Sequence, residues 1–70
     1  MNDALKLKVL VVEDELLVRV GIKSSIDWEE NNLMLVGEAA NGQEAVPLLR
    51  TCRPDIVLLD IRLPDISGLD

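Results

Sequence analysis

Three short apolar runs constrain this chain more than any other feature: Val9-Leu10-Val11-Val12, Leu33-Met34-Leu35-Val36 and Ile56-Val57-Leu58-Leu59. The first and third are continuous and bounded by charged or turn residues, as strands buried on both faces of a parallel sheet are. The second reads as a strand as well. Their centres lie 26 and 22 residues apart, Val9 to Leu35 and Leu35 to Val57. That is close to the roughly 30 residues of a βαβ unit.

Between the runs the apolar period changes from strand-like to helical. Over residues 15–26, Leu17, Val18, Ile22 and Ile26 form a stripe, with acids before it and Lys23 near its end, as the helix dipole favours. Over residues 43–52, Ala45, Leu48, Leu49 and Cys52 repeat the pattern. Asn41 and Glu44 have the spacing of a capping box, and Pro54 closes the segment. Pro47 conflicts with a helix that starts at once after Asn41, which predicts a late start or a kink. The order is strand, helix, strand, helix, strand, followed by a polar turn over residues 62–68. Right-handed crossovers then lay the helices on the faces of a parallel sheet. No internal repeat or linker composition divides the chain, which reads as one unit.

Composition narrows the chemistry. The 70 residues carry seven Lys and Arg against thirteen Asp and Glu, a net charge of −6, no His and one Cys. Imidazole catalysis, zinc fingers and disulfide frameworks are excluded. The negative charge argues against direct nucleic-acid contact, which depends on Lys and Arg meeting phosphates. No apolar run approaches the roughly 18 residues of a membrane span, and the run at residues 9–12 passes straight into Glu13, Asp14 and Glu15, so a cytoplasmic chain without membrane contact is expected. Cys52 reads as a small buried hydrophobe of a reducing compartment. Any chemistry must rest on carboxylates.

Glu13 and Asp14 follow the first strand and Asp60 follows the third. In an open parallel α/β sheet the ligand site lies beyond the carboxyl ends of the strands, so these acids meet if strands one and three are neighbours. Packed carboxylates repel one another, and a hard cation such as Mg²⁺ relieves that repulsion. Asp60 could then act as a nucleophile towards phosphorus. Each acid also has a plainer reading: Asp14 or Glu15 as a helix N-cap, Asp60 as a turn acid, and Asp65 with Gly68 as turn chemistry only.

At these residues the sequence resembles the receiver domain of bacterial two-component response regulators. The matching segments are residues 8–15 (KVLVVEDE), 38–45 (EAANGQEA) and 54–68 (PDIVLLDIRLPDISG), in order over nearly the whole chain. The resemblance implies a flavodoxin-like (CheY-like) α/β fold with parallel strand order 2-1-3 over the part present, within the family's 2-1-3-4-5. It implies that Asp60 is the phosphoacceptor, and that Glu13, Asp14, Asp60 and the backbone carbonyl of Arg62 bind Mg²⁺, directly or through water. The partner it implies is a sensor histidine kinase. Residues 26–30 (IDWEE) look like the subgroup joined to an AraC-type helix-turn-helix output domain, although Trp28 is equally read as loop packing.

The family's domain continues through two more strands and helices that carry a Ser or Thr and a Lys. Residues 1–70 therefore read as the N-terminal part of a receiver, without the switch, so that phosphoryl transfer to this stretch alone is expected to be weak. The parent would bind DNA through a further domain and control transcription. An apolar third strand left at a sheet edge invites pairing with another chain, which makes an assembly module the rival reading. A Mg²⁺-dependent phosphohydrolase is the other rival. Those enzymes usually carry a second Asp two residues after the nucleophile, where this chain has Arg62. The chain is thus expected to accept a phosphoryl group on itself and not to turn over an outside substrate.

Overall fold

The computed structural model describes residues 6–59. Its elements are β1 (Leu7–Val12), α1 (Leu16–Ser25), β2 (Leu33–Ala39), α2 (Gly42–Cys52) and β3 (Ile56–Leu59). The strands form one parallel sheet in the order β2-β1-β3, the α/β topology and strand order expected. β1 is central, which is why its run is continuous: Val9, Leu10 and Val11 are fully buried and Val12 nearly so.

The two faces of β1 have different covers. Leu10 and Val12 join Ala39 of β2 and Ala45 of α2 in the core cluster, with Leu48 packed against it. Val9 and Val11 alternate onto the opposite face, where a right-handed crossover puts α1.

A bulge in β2 decides which of its side chains meets which helix. Val9 pairs with Leu35 but Leu10 with Gly37, so Val36 is the extra residue. The one-residue slip turns Gly37 and Ala39 towards α2 and Glu38 towards α1. Gly37 fits closely there: a Cβ at this position would lie 3.1 Å from Leu10 Cδ1, tight enough that the leucine must shift, and 3.5 Å from Leu48 Cδ1. Cys52 Sγ lies 3.5 Å from the Val36 carbonyl, to which it donates, so this thiol is half-buried packing, close to the expectation.

α2 starts where its cap dictates. The Asn41 side chain accepts from the Glu44 N–H at 2.9 Å, and Glu44 Oε1 accepts from the Ala40 N–H at 2.8 Å. The late start expected from Pro47 is not observed, because these two bonds begin the helix at Gly42 and leave Pro47 inside it. Arg53 ends α2 in a left-handed conformation (φ 46°) just before Pro54. Asp55 then fastens β3 to β1: its N–H donates to the Lys8 carbonyl and its Oδ2 accepts from the Lys8 N–H, both at 2.8 Å.

The helix faces and the start of α1 depart from the sequence reading. Leu17, placed on the inward stripe of α1, is 81% exposed, and Leu49 of α2 is also exposed. The inward face of α1 is Val18, Arg19, Ile22 and Lys23, where two positions an apolar count passes over are taken by the aliphatic stems of cations paired with Glu38. Neither Asp14 nor Glu15 caps α1 with its side chain; Glu15 is the N-cap residue by backbone geometry only. Trp28 is loop packing: its Nε1 donates to the Lys23 carbonyl at 2.9 Å, satisfying one of the last acceptors of α1. Among the described residues, no helix is long and apolar enough to cross a membrane.

Candidate functional site

The carboxyl ends of β1 and β3 lie side by side. The parallel register runs from Val9↔Ile56 to Val12↔Leu59, so the two strands end abreast. Glu13 is the next residue on one strand. Asp60 is the next in sequence after the other; it and Arg62 lie outside the described residues.

The turn after β1 is built around Glu13. Its N–H donates to the Ala39 carbonyl at 2.9 Å, prolonging the pairing with β2 by one residue. Its side chain is buried, at 1% exposure. Oε2 accepts from the Glu15 N–H at 2.7 Å, so the carboxylate two residues before the N-cap residue holds the turn that leads into α1. A negative group at a helix N-terminus is favourable, since the unpaired N–H groups there carry partial positive charge. Asp14 and Glu15 are exposed.

One carboxylate oxygen from each of Glu13, Asp14 and Glu15 can be chosen so that all lie within 4.8 Å of one another. Three negative charges at such separations repel, and the turn sits in a chain whose net charge is already −6. The donors are all oxygens, the preference of a hard divalent cation, and the exposure of Asp14 leaves room for water ligands of the kind Mg²⁺ retains. The donor set therefore fits Mg²⁺. Glu13 and Asp14, neighbours in the chain, lie together in this turn, and Glu15 joins them at a position to which the sequence reading gave only a capping role.

Two further residues matter that sequence patterning passed over. Arg19 Nη1 donates to the Glu13 carbonyl at 2.8 Å, and its Nε lies 3.4 Å from Glu38 Oε1. Lys23 Nζ lies 2.9 Å from Glu38 Oε2. The signal available was the four-residue spacing of Arg19 and Lys23; the bulge that brings Glu38 to them has no local signature.

Relatives place this geometry in a lineage. Residues 9–70 match the response regulator receiver domain. Over 63 residues the chain is 44% identical to the transcriptional regulatory protein YdfI of Bacillus subtilis, covering 90% of this chain and 29% of that protein. Over 65 residues it is 43% identical to the protein-glutamate methylesterase/protein-glutamine glutaminase of Pyrococcus horikoshii, covering 93% of this chain and 17% of the enzyme. The response regulator GacA of Pseudomonas syringae is 42% identical over 64 residues, 91% of this chain and 29% of that protein. The chain spans less than a third of the length of these relatives, whose names differ in activity while the matched stretch is shared. A parallel β2-β1-β3 sheet, an acidic turn at the end of its central strand and a family match over residues 9–70 agree: the chain belongs to the response regulator receiver domain family.

Proposed function

We propose that this chain is the phosphoacceptor of a two-component phosphorelay, with Asp60 receiving a phosphoryl group from the phosphohistidine of a sensor histidine kinase. The observation that carries the reading is the register: β1 and β3 end abreast at Val12↔Leu59, and an acidic turn follows β1. A carboxylate oxygen of Asp60 attacks phosphorus in line, the bond from phosphorus to the donor imidazole nitrogen breaks, and its electron pair returns to that nitrogen. Glu13 and Asp14, with Asp60 and the backbone carbonyl of Arg62, would hold Mg²⁺ directly or through water. When bound, that ion supplies positive charge against the equatorial oxygens and offsets the repulsion between donor and acids. The chain thus assists a transfer to itself and turns over no outside substrate.

Residues 1–70 belong in this reading to the N-terminal part of a receiver within a longer cytoplasmic protein. Its output is transcriptional, as the name of the Bacillus subtilis relative suggests for that protein. An AraC-type output domain is the form favoured by the segment 26–30. DNA contact would belong to that domain and not to this acidic segment.

The test is phosphorylation of the full-length protein by a phosphohistidine donor with Mg²⁺. An acid-stable, alkali-labile adduct that disappears in Asp60→Asn supports the reading; transfer undiminished in Asp60→Asn contradicts it. A second reading is favoured by one observation. β3 is an edge of the described sheet, with Val57 and Leu59 exposed. Self-association through that edge, unaffected by Asp60→Asn and by removal of Mg²⁺, would mark the stretch as an assembly module.

A further inference from the structure

Gly42 is a glycine that the fold does not demand. It opens α2 without a left-handed φ, and a Cβ built on it would meet nothing within 4 Å. Gly37, by contrast, is pressed by Leu10. A helix favours almost any residue over glycine, so neither backbone nor packing accounts for Gly42. Its bare Cα does leave its own nitrogen open to the side chain of the preceding residue, Asn41, and both residues are exposed.

Attack of the Gly42 nitrogen on Asn41 Cγ would close a succinimide ring, the reaction that makes asparagine a heat-labile residue. The capping turn restrains it. With Asn41 ψ at 177°, the Gly42 nitrogen is staggered against Asn41 Cβ, whereas ring closure needs the two eclipsed about the Cα–C bond. That rotation turns the first peptide of α2 out of the helix. It cannot occur while Asn41 Oδ1 accepts from the Glu44 N–H at 2.9 Å and Glu44 Oε1 accepts from the Ala40 N–H at 2.8 Å. Local opening of these two bonds therefore precedes the chemistry.

We propose that Asn41–Gly42 is a modification site of this chain, a deamidation whose rate is set by opening of the α2 capping turn. The Gly42 nitrogen loses its proton to solvent and bonds to Asn41 Cγ; the Cγ–Nδ2 bond breaks, Nδ2 takes up a proton, and ammonia leaves. Water then opens the ring, with no oxidant or reductant involved. Hydrolysis at Cγ gives aspartate; hydrolysis at the main-chain carbonyl gives isoaspartate, in which the chain runs through Cβ and Cγ. The two products differ in consequence. Aspartate remains a good N-cap and puts its charge where the helix dipole favours it. Isoaspartate adds a carbon to the main chain between β2 and α2, so the cap is lost and α2 frays from its first turn. The change falls at the sheet edge that carries the acidic turn, two residues after Ala39, which pairs with Val12 and accepts from the Glu13 N–H.

The experiment incubates the full-length protein in mildly alkaline buffer, folded and in guanidinium chloride. Peptide mapping that distinguishes isoaspartate from aspartate follows residue 41, with labelling by an isoaspartyl carboxyl methyltransferase as a second readout. Asn41 should convert in the folded protein, more slowly than in denaturant. Asn31 and Asn32, each followed by a residue with a side chain, should stay intact over the same period. Glu44→Ala removes the bond to the Ala40 N–H and should speed conversion in the folded protein about fivefold, the factor by which losing one capping bond shifts a local opening, with no change in denaturant. Gly42→Ala, which the open space admits, should lose the reaction in both states. Should Glu44→Ala not fold, the ratio of folded to unfolded rates in wild type and the loss in Gly42→Ala decide the matter. Faster conversion at another asparagine, an Asn41 left intact in the folded protein after the denatured sample has converted, or equal folded-state rates for wild type and Glu44→Ala would overturn the proposal.

Discussion

Asp14 and Glu13 are adjacent in sequence but carry opposite burdens. Glu13 is buried and its carboxylate holds the N–H of Glu15, the N-cap residue of α1; Asp14 is exposed and adds charge to a crowded turn. Asp14→Asn is therefore expected to leave stability unchanged or raise it by up to about 0.5 kcal/mol without divalent cation, by relieving repulsion. Glu13→Ala should lower it by about 1–3 kcal/mol, because a part-buried N–H at Glu15 loses its acceptor. Denaturant titrations in EDTA compare the two, and a larger loss for Asp14→Asn would contradict the assigned division. Gly37 poses a different constraint. Ala there would press a methyl onto Leu10, which is fully buried between β2 and α2 and has little freedom to yield. A loss of about 1–3 kcal/mol is expected in the same titration, and a gain would mean that the α2 interface is looser than its geometry indicates.

The helices show what periodicity can and cannot convey. α2 was legible in its cap, since the Asn41 and Glu44 spacing specifies two hydrogen bonds that the structure contains. Asn41→Ala should cost about 1 kcal/mol. Pro47→Ala restores an N–H inside the helix and should raise thermal stability by about 1 kcal/mol or more, the unfolded-state entropy of proline opposing part of the gain. A lower melting temperature for Pro47→Ala would show that the ring makes packing contacts that outweigh its missing donor. α1 was less legible, because an apolar count selects Leu17 while the structure turns Arg19 and Lys23 inward beside Val18 and Ile22. That inversion depends on Glu38 arriving from β2, and its arrival depends on one bulged residue, Val36. The strands were legible because β1 is covered on both faces, so both parities of its sequence are apolar. The acids at residues 13 and 14 were legible as candidates through their place at a strand end. Arg19 gave no such signal, since its contacts are with a backbone carbonyl and with a counter-ion on another element.

At the scale of the whole molecule, thirteen acids against seven cations make repulsion a general feature, and one turn concentrates it. A cation that binds the folded state alone stabilises it by mass action, about 2.7 kcal/mol at one hundred times the dissociation constant. Mg²⁺ should therefore raise the melting temperature well beyond NaCl of equal ionic strength, and Asp14→Asn should abolish that excess. Equal shifts from the two salts would indicate screening and no specific site. The proposal that residues 13 and 60 serve one chemistry rests on the parallel sheet, in which the strands that precede them end together at Val12 and Leu59. Trapping tests this most directly. An acyl phosphate formed on the full-length protein with Mg²⁺ and a phosphodonor is reduced by borohydride, and peptide mapping locates the resulting homoserine. Homoserine at position 60, absent when EDTA replaces Mg²⁺, is the expected result; homoserine at another acid, or at position 60 irrespective of Mg²⁺, would contradict the proposed site.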